Sequence, residues 1–267
     1  MTETRSEVET ETRQCETHGE YQAKTMAVLG SRKISSRCPV CVEEQERKEA
    51  DQARKAEAAR RDDQLRELRR NSGIPRRFVD ASFSGYQPAS HQSQANHAMC
   101  RAYAEQFASR METGGGLVLC GKPGTGKTHL ACAIGNHVIE TLMRSVVYTS
   151  VTKLSRTVKA TYSNDAEQTE QDAIRSFVVP HLLIVDEVGA QRGSETELLL
   201  AQEIIDERYQ DLKPTIIISN LTESELSRFV GERALDRMYE GGGAVLAFNW
   251  DSYRRSSGDQ SEESRDS

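Results

Sequence analysis

The stretch "GKPGTGKT", Gly121 to Thr128, constrains this chain more than any other. It matches the phosphate-binding loop pattern in full. The run before it, "GLVLC", is short and apolar, like a buried strand. The run after it, "KTHLACAIGNHVIETLM", places Ala131, Ile134, Val138 and Leu142 at helical spacing. Strand, glycine loop and helix in that order are what phosphate chemistry requires. Gly121, Gly124 and Gly126 let the loop curl through Lys122, Pro123 and Thr125, so that backbone N–H groups face phosphate oxygens. The helix start adds its partial positive charge. Lys127 is placed for the β and γ phosphates of ATP, and the Thr128 hydroxyl for Mg²⁺. A chance glycine-rich turn is the competing reading, and the flanking strand and helix argue against it.

A second run, "LLIVDE", supplies the other half of such a site. Four apolar residues predict a buried strand that delivers Asp186 and Glu187 at its C-terminal end, where open α/β sheets bind ligands. Asp186 is expected in the Mg²⁺ shell, and Glu187 as the general base for an attacking water. An acidic strand end facing solvent is the bland alternative. In "TIIISN", Asn220 ends the next strand, where it would sense the γ-phosphate or hold the water; Asn is also an ordinary turn residue. "SVVYTS" and "AVLAFNW" are further strands. "VTKLSRTVKATY", "AEQTEQDAIRSF" and "SETELLLAQEIIDERYQ" read as helices, the last with Ser194 as N-cap. Short apolar strands alternating with helices imply a parallel sheet covered on both faces, an α/β fold.

The rest of the chain is too polar to belong to that body. Charged residues make up 28% of the 267, and mean hydropathy is −0.65. Residues 1–14 and 256–267 are predicted to be disordered. Residues 42–72, rich in Glu, Lys, Arg and Ala, predict a solvated helical connector that ends at Gly73 and Pro75. Residues 73–255 hold the ATPase domain. No apolar run nears the roughly 20 residues of a membrane span, and no signal peptide is visible, so a cytoplasmic protein is expected. The net charge of −6 excludes a global electrostatic pull onto nucleic acid.

Between tail and connector lie "CETH" and "CPVC". Cys15, His18, Cys38 and Cys41 form two pairs about twenty residues apart, each able to grip one side of a tetrahedral Zn²⁺. Residues 15–41 are thus expected to be a zinc-binding module. A redox dithiol at "CPVC" and reduced, unliganded cysteines are the alternatives. Cys100, Cys120 and Cys132 read as core thiols.

"GERALDRM" carries Arg233 and Arg237 four residues apart, on one face of a short helix. They fit an arginine donated in trans to a neighbour's γ-phosphate, or a solvated face pairing with Glu232 and Asp236. With "GKPGTGKTHLA", "LLIVDEVG", "ISN" and "FNWDSYR", in that order, this stretch resembles the DnaC-type replicative helicase loaders of the AAA+ class, over about residues 72–255. The resemblance implies an AAA+ core without a full C-terminal lid. It also implies Arg237 as the trans finger with Arg233 as second candidate, and Arg254 as a sensor arginine. It implies self-association through the ATPase domain, a hexameric DnaB-type replicative helicase as partner, and single-stranded DNA as ligand. Lys153, Arg156 and Lys159 are candidate DNA contacts, or simply a solvated charged face. A transposition helper ATPase acting on duplex DNA with a transposase, and a zinc-bearing adaptor with structural nucleotide, are the alternative functions.

Overall fold

The structure is a computed structural model, described for residues 8–28, 32–163, 165–189 and 195–252. Arg254 and Ser194 lie outside the described residues, as does the C-terminal segment 256–267. The chain divides into two compact units, residues 1–63 and 64–267, with the division inside one long helix.

The first unit is built on three antiparallel strands in the order β1-β2-β3: Val8–Cys15, Gly19–Val28 and Arg32–Ser35. Cys15 pairs with Gly19 across the tight turn, where Gly19 has φ 77°, a conformation that glycine adopts freely. β1 corrects the expectation of disorder over residues 1–14, at least from Val8 onward. Its segment is polar on both faces, so no apolar alternation announced it; pairing with β2 makes it a strand. Helix α1 then runs Pro39–Asn71, about 50 Å at 1.5 Å per residue. Proline at the first helical position costs no hydrogen bond, so the helix starts inside "CPVC" rather than after it. No residue of α1 is fully buried. Within the second unit, however, Leu65 and Leu68 pack against the core, so the last two turns are structural and not merely a connector.

The second unit holds a five-stranded parallel sheet. Its strands are β4 (Leu117–Gly121), β5 (Val146–Ser150), β6 (Leu182–Val188), β7 (Thr215–Ser219) and β8 (Ala244–Phe248), in the order β5-β6-β7-β4-β8. Alternate side chains enter two separate cores. Leu117, Leu119, Leu182, Ile184, Ile216 and Ile218 face α2 (His91–Glu105), α3 (Phe107–Thr113) and α4 (Lys127–Leu142). Val118, Cys120, Leu183, Val185 and Ile217 face the other core. That core is covered by α5 (Val151–Lys159), α6 (Glu170–Val178), α7 (Glu195–Gln210), α8 (Glu223–Val230) and α9 (Glu232–Tyr239). Cys100, Cys120 and Cys132 are buried in these cores. Arg208 of α7 is wholly buried, with no ion pair to a carboxylate among the described residues. It donates to the carbonyls of Phe177, Val178 and Pro180 at the end of α6, to the Pro214 carbonyl just before β7, and to the Thr215 hydroxyl at its start. A cation at a helix C-terminus is favourably placed. Burial still lowers its pKa to about 9.

Candidate functional site: a phosphate loop at the sheet edge

The loop from Gly121 to Gly126 joins β4 to α4 and is shaped by backbone that only glycine tolerates. Gly126 has φ 93° and precedes the first residue of α4; a Cβ there would lie 2.5 Å from the Tyr86 ring. The Tyr86 hydroxyl donates to the Thr125 carbonyl at 3.1 Å. At the other end, Lys122 N–H donates to the Phe248 carbonyl at 2.8 Å, which ties the loop to β8. Lys127 lies across its own loop, donating to the carbonyls of Gly121 at 2.8 Å and Lys122 at 2.6 Å. Burial pulls its pKa down to about 8.

Asp186 meets this loop from β6. Its Oδ2 accepts the Thr128 hydroxyl at 2.9 Å and the Tyr148 hydroxyl at 2.6 Å, and its Oδ1 accepts the Glu187 N–H at 2.7 Å. A hydroxyl and a carboxylate side by side at a helix start are hard oxygen donors of the kind Mg²⁺ selects. Thr128 and Asp186 therefore fit a magnesium ion. Glu187 is exposed beside the buried Asp186, with φ 59°. The register against β7 shifts between Val185 and Val188. This bulge breaks the strand alternation, so that both acidic side chains face one cleft.

That cleft, of about 480 Å³, is lined by the phosphate loop, Asp186, Glu187 and Asn220. Asn220 reaches it because β7 lies between β4 and β6. Its lining also includes Arg77, Phe78, Tyr86 and Trp250. The sequence reading missed these four and Tyr148. "NSGIPRRF" registered there only as a helix stop, and nothing local ties an aromatic ring to a loop some forty residues away. Aromatic rings and a guanidinium are suited to hold a planar base.

Arg233 and Arg237 do not line this cleft. Arg237 donates to Asp206 on α7, and its guanidinium lies 4.9 Å from the Tyr209 ring centroid. The intramolecular partner is thus Asp206, not Glu232 or Asp236. Arg233 is exposed. On α5, Lys153, Arg156 and Lys159 are exposed, and Lys159 lies 3.6 Å from Glu197.

In the first unit, Cys15, His18, Cys38 and Cys41 bring one ligand atom each to within 4.8 Å of one another. The hairpin turn supplies the first pair and the start of α1 the second. Neighbouring atoms are spaced as on a tetrahedron around one ion: Cys15 and Cys41 sulfurs at 3.4 Å, His18 Nδ1 3.2 Å from Cys41 and 3.8 Å from Cys15 and Cys38. His18 Nε2 lies 3.4 Å from Glu44, the outer contact that orients a ligating imidazole. Backbone N–H groups of Thr17 and His18 hold the Cys15 thiol down to about 6, while the hydrogen bond with Cys15 pushes Cys41 up to about 11. The set fits zinc.

A parallel sheet in this order, with a phosphate loop, an acidic pair and a polar strand end at one edge, is a P-loop fold of the AAA+ type. Within that class the chain belongs to the IstB/DnaC family: the model of IstB-like ATP binding proteins matches residues 53–261. It is 34% identical to the replicative helicase loader DnaC of Escherichia coli strain K12, over 68% of this chain and 73% of that protein. The DnaC of Buchnera aphidicola from Acyrthosiphon pisum is also 34% identical, over 69% of this chain and 73% of its own length. The crystal structure of a DnaC helicase loader superposes with TM-score 0.57 at 24% identity, covering 65% of this chain and 99% of that one. No helix among the described residues is long and apolar enough to cross a membrane.

Proposed function

We propose that this protein is an ATP-dependent loader that places a DnaB-type replicative helicase on single-stranded DNA at replication initiation, in the cytoplasm. The observation that carries the reading is the 34% identity to DnaC across 73% of that protein. The supporting geometry is an ATP site whose binding parts all come from one chain. Lys127 faces the β and γ phosphates. Thr128 and Asp186 would hold Mg²⁺, which would supply charge neutralisation at the phosphoryl group. Glu187 accepts a proton from the attacking water that Asn220 orients. An arginine of α9 from a neighbouring copy completes the site when the ATPase domains associate. The module around Cys15, His18, Cys38 and Cys41 holds Zn²⁺ and serves as the arm that docks on the helicase hexamer. ATP acts as a switch: binding engages helicase and DNA, and hydrolysis releases them. Turnover by the free protein is therefore slow.

The test is the solution mass of this protein mixed with the replicative helicase of its host, with ATP and Mg²⁺. A stable complex is expected. No complex with a demonstrably hexameric helicase would sink the loader reading. Cooperative, ATP-dependent duplex binding would then support a transposition helper instead.

A further inference from the structure

Asp186 is held by a side chain that ATP binding by a phosphate loop does not require. Tyr148 stands on β5, where Ser150 is the register partner of Asp186 and Tyr148 that of Ile184. Its ring reaches along the strand to place the hydroxyl 2.6 Å from Asp186 Oδ2. Burial, together with the hydrogen bond to Asp186, holds the phenol well above its ordinary pKa. It therefore remains a neutral donor. Asp186 Oδ2 has two side-chain donors, and the other is Thr128, whose oxygen a magnesium ion also uses. Of the two donors, Tyr148 is the one that is not itself a candidate magnesium ligand.

The backbone of the same residue is fastened to the end of α1. Tyr148 N–H donates to the Ser72 carbonyl at 2.7 Å. Gly73 has φ 66°, and a Cβ there would lie 2.9 Å from the Tyr148 carbonyl oxygen. Ser72 is buried; its hydroxyl donates to Arg69 O at 2.8 Å and accepts from Ile74 N–H at 3.3 Å. Arg69 in turn pairs with Glu140 of α4, the helix that starts at Lys127, at 2.6 Å. One continuous set of bonds thus runs from the last turn of α1, through Tyr148, to the carboxylate of the site.

We infer that Tyr148 is a positioning residue of the ATP site. Its hydroxyl fixes the Asp186 carboxylate for Mg²⁺, and its backbone makes that setting responsive to the Ser72–Gly73 end of α1. The inference rests on the reading of Asp186 as a magnesium ligand. Loss of an outer-shell donor of this kind costs about 10–100-fold in metal affinity. Without the Tyr148 hydroxyl, Oδ2 keeps only the Thr128 hydroxyl, the group that a magnesium ion would also draw on.

The experiment is binding of a fluorescent ATP analogue to the full chain, with Mg²⁺ titrated up from a chelator-buffered zero. In Tyr148→Phe the half-saturating Mg²⁺ concentration is expected to rise about tenfold. Affinity in chelator alone stays within about twofold, because Tyr148 acts only through the metal ligand. Gly73→Ala is expected to shift the Mg²⁺ dependence in the same direction, since it crowds the Tyr148 carbonyl and substitutes no residue that lines the cleft. An unchanged Mg²⁺ dependence in Tyr148→Phe overturns the positioning role. A shift in Tyr148→Phe with none in Gly73→Ala overturns the link to α1. A native protein whose nucleotide affinity ignores Mg²⁺ overturns the reading of Asp186 itself, and shows this before any variant is made.

Discussion

Arg237 of α9 is bonded to Asp206 of α7, and the same guanidinium lies 4.9 Å from the centroid of the Tyr209 ring. In the single chain this arginine therefore works as a strut between two helices. Its neighbour Arg233, one turn back, is exposed. Arg237→Ala is expected to cost about 1 kcal/mol from a part-buried ion pair and a cation–π contact, a drop of about 2–4 °C for a domain of this size. Arg233→Ala leaves the melting temperature unchanged and lowers hydrolysis only in the assembled state. If instead Arg237→Ala keeps its melting temperature and loses hydrolysis only on assembly, Arg237 is the trans finger.

Burial pulls the Lys127 ammonium below its ordinary pKa, to about 8. The ammonium form, present below that value, is the one that attracts phosphate. ATP affinity should be flat up to about pH 8 and then fall, approaching tenfold per pH unit where the bound form must take up a proton. Calorimetry in two buffers of different ionisation enthalpy would show that uptake at pH 9. Affinity constant to pH 9.5 would remove Lys127 from the phosphate contact. Lys127→Ala should abolish binding at every pH.

Glu187, the proposed general base, has a left-handed backbone, φ 59°. Glu187→Gln is expected to bind ATP normally and to lose hydrolysis. Glu187→Gly should also lose hydrolysis, yet melt higher, since glycine relieves about 1 kcal/mol of backbone strain. Unchanged turnover in the glutamine variant would show that another group serves as base.

The four-residue ligand set predicts one zinc per chain by elemental analysis. Cys38→Ser, which removes one thiolate from the set, should lose the ion. A strong chelator should unfold the three-stranded sheet, seen as lost amide protection over residues 8–28. Nucleotide binding, whose proposed residues all lie in the second unit, should stay within about twofold. Full protection after metal removal would favour a redox dithiol or reduced, unliganded cysteines over a structural zinc.

Much of the ATP site is legible in the chain because its parts are local. A glycine loop, the helix start behind it and the acidic strand end each follow from a few consecutive residues, as do the four apolar runs that became β5, β6, β7 and β8. The Cys/His pairs are local in the same way, since i, i+3 spacing places two ligands on one turn. Other features are not local at all. β1 carries no apolar alternation and exists through its ladder to β2. The strand order puts β7 between β4 and β6, and this alone brings Asn220 into the cleft. The bonds Tyr148–Asp186 and Arg237–Asp206 span 38 and 31 residues. Their geometry follows from which strands and helices lie side by side, and that adjacency is set by burying both sheet faces together rather than by any short stretch of sequence.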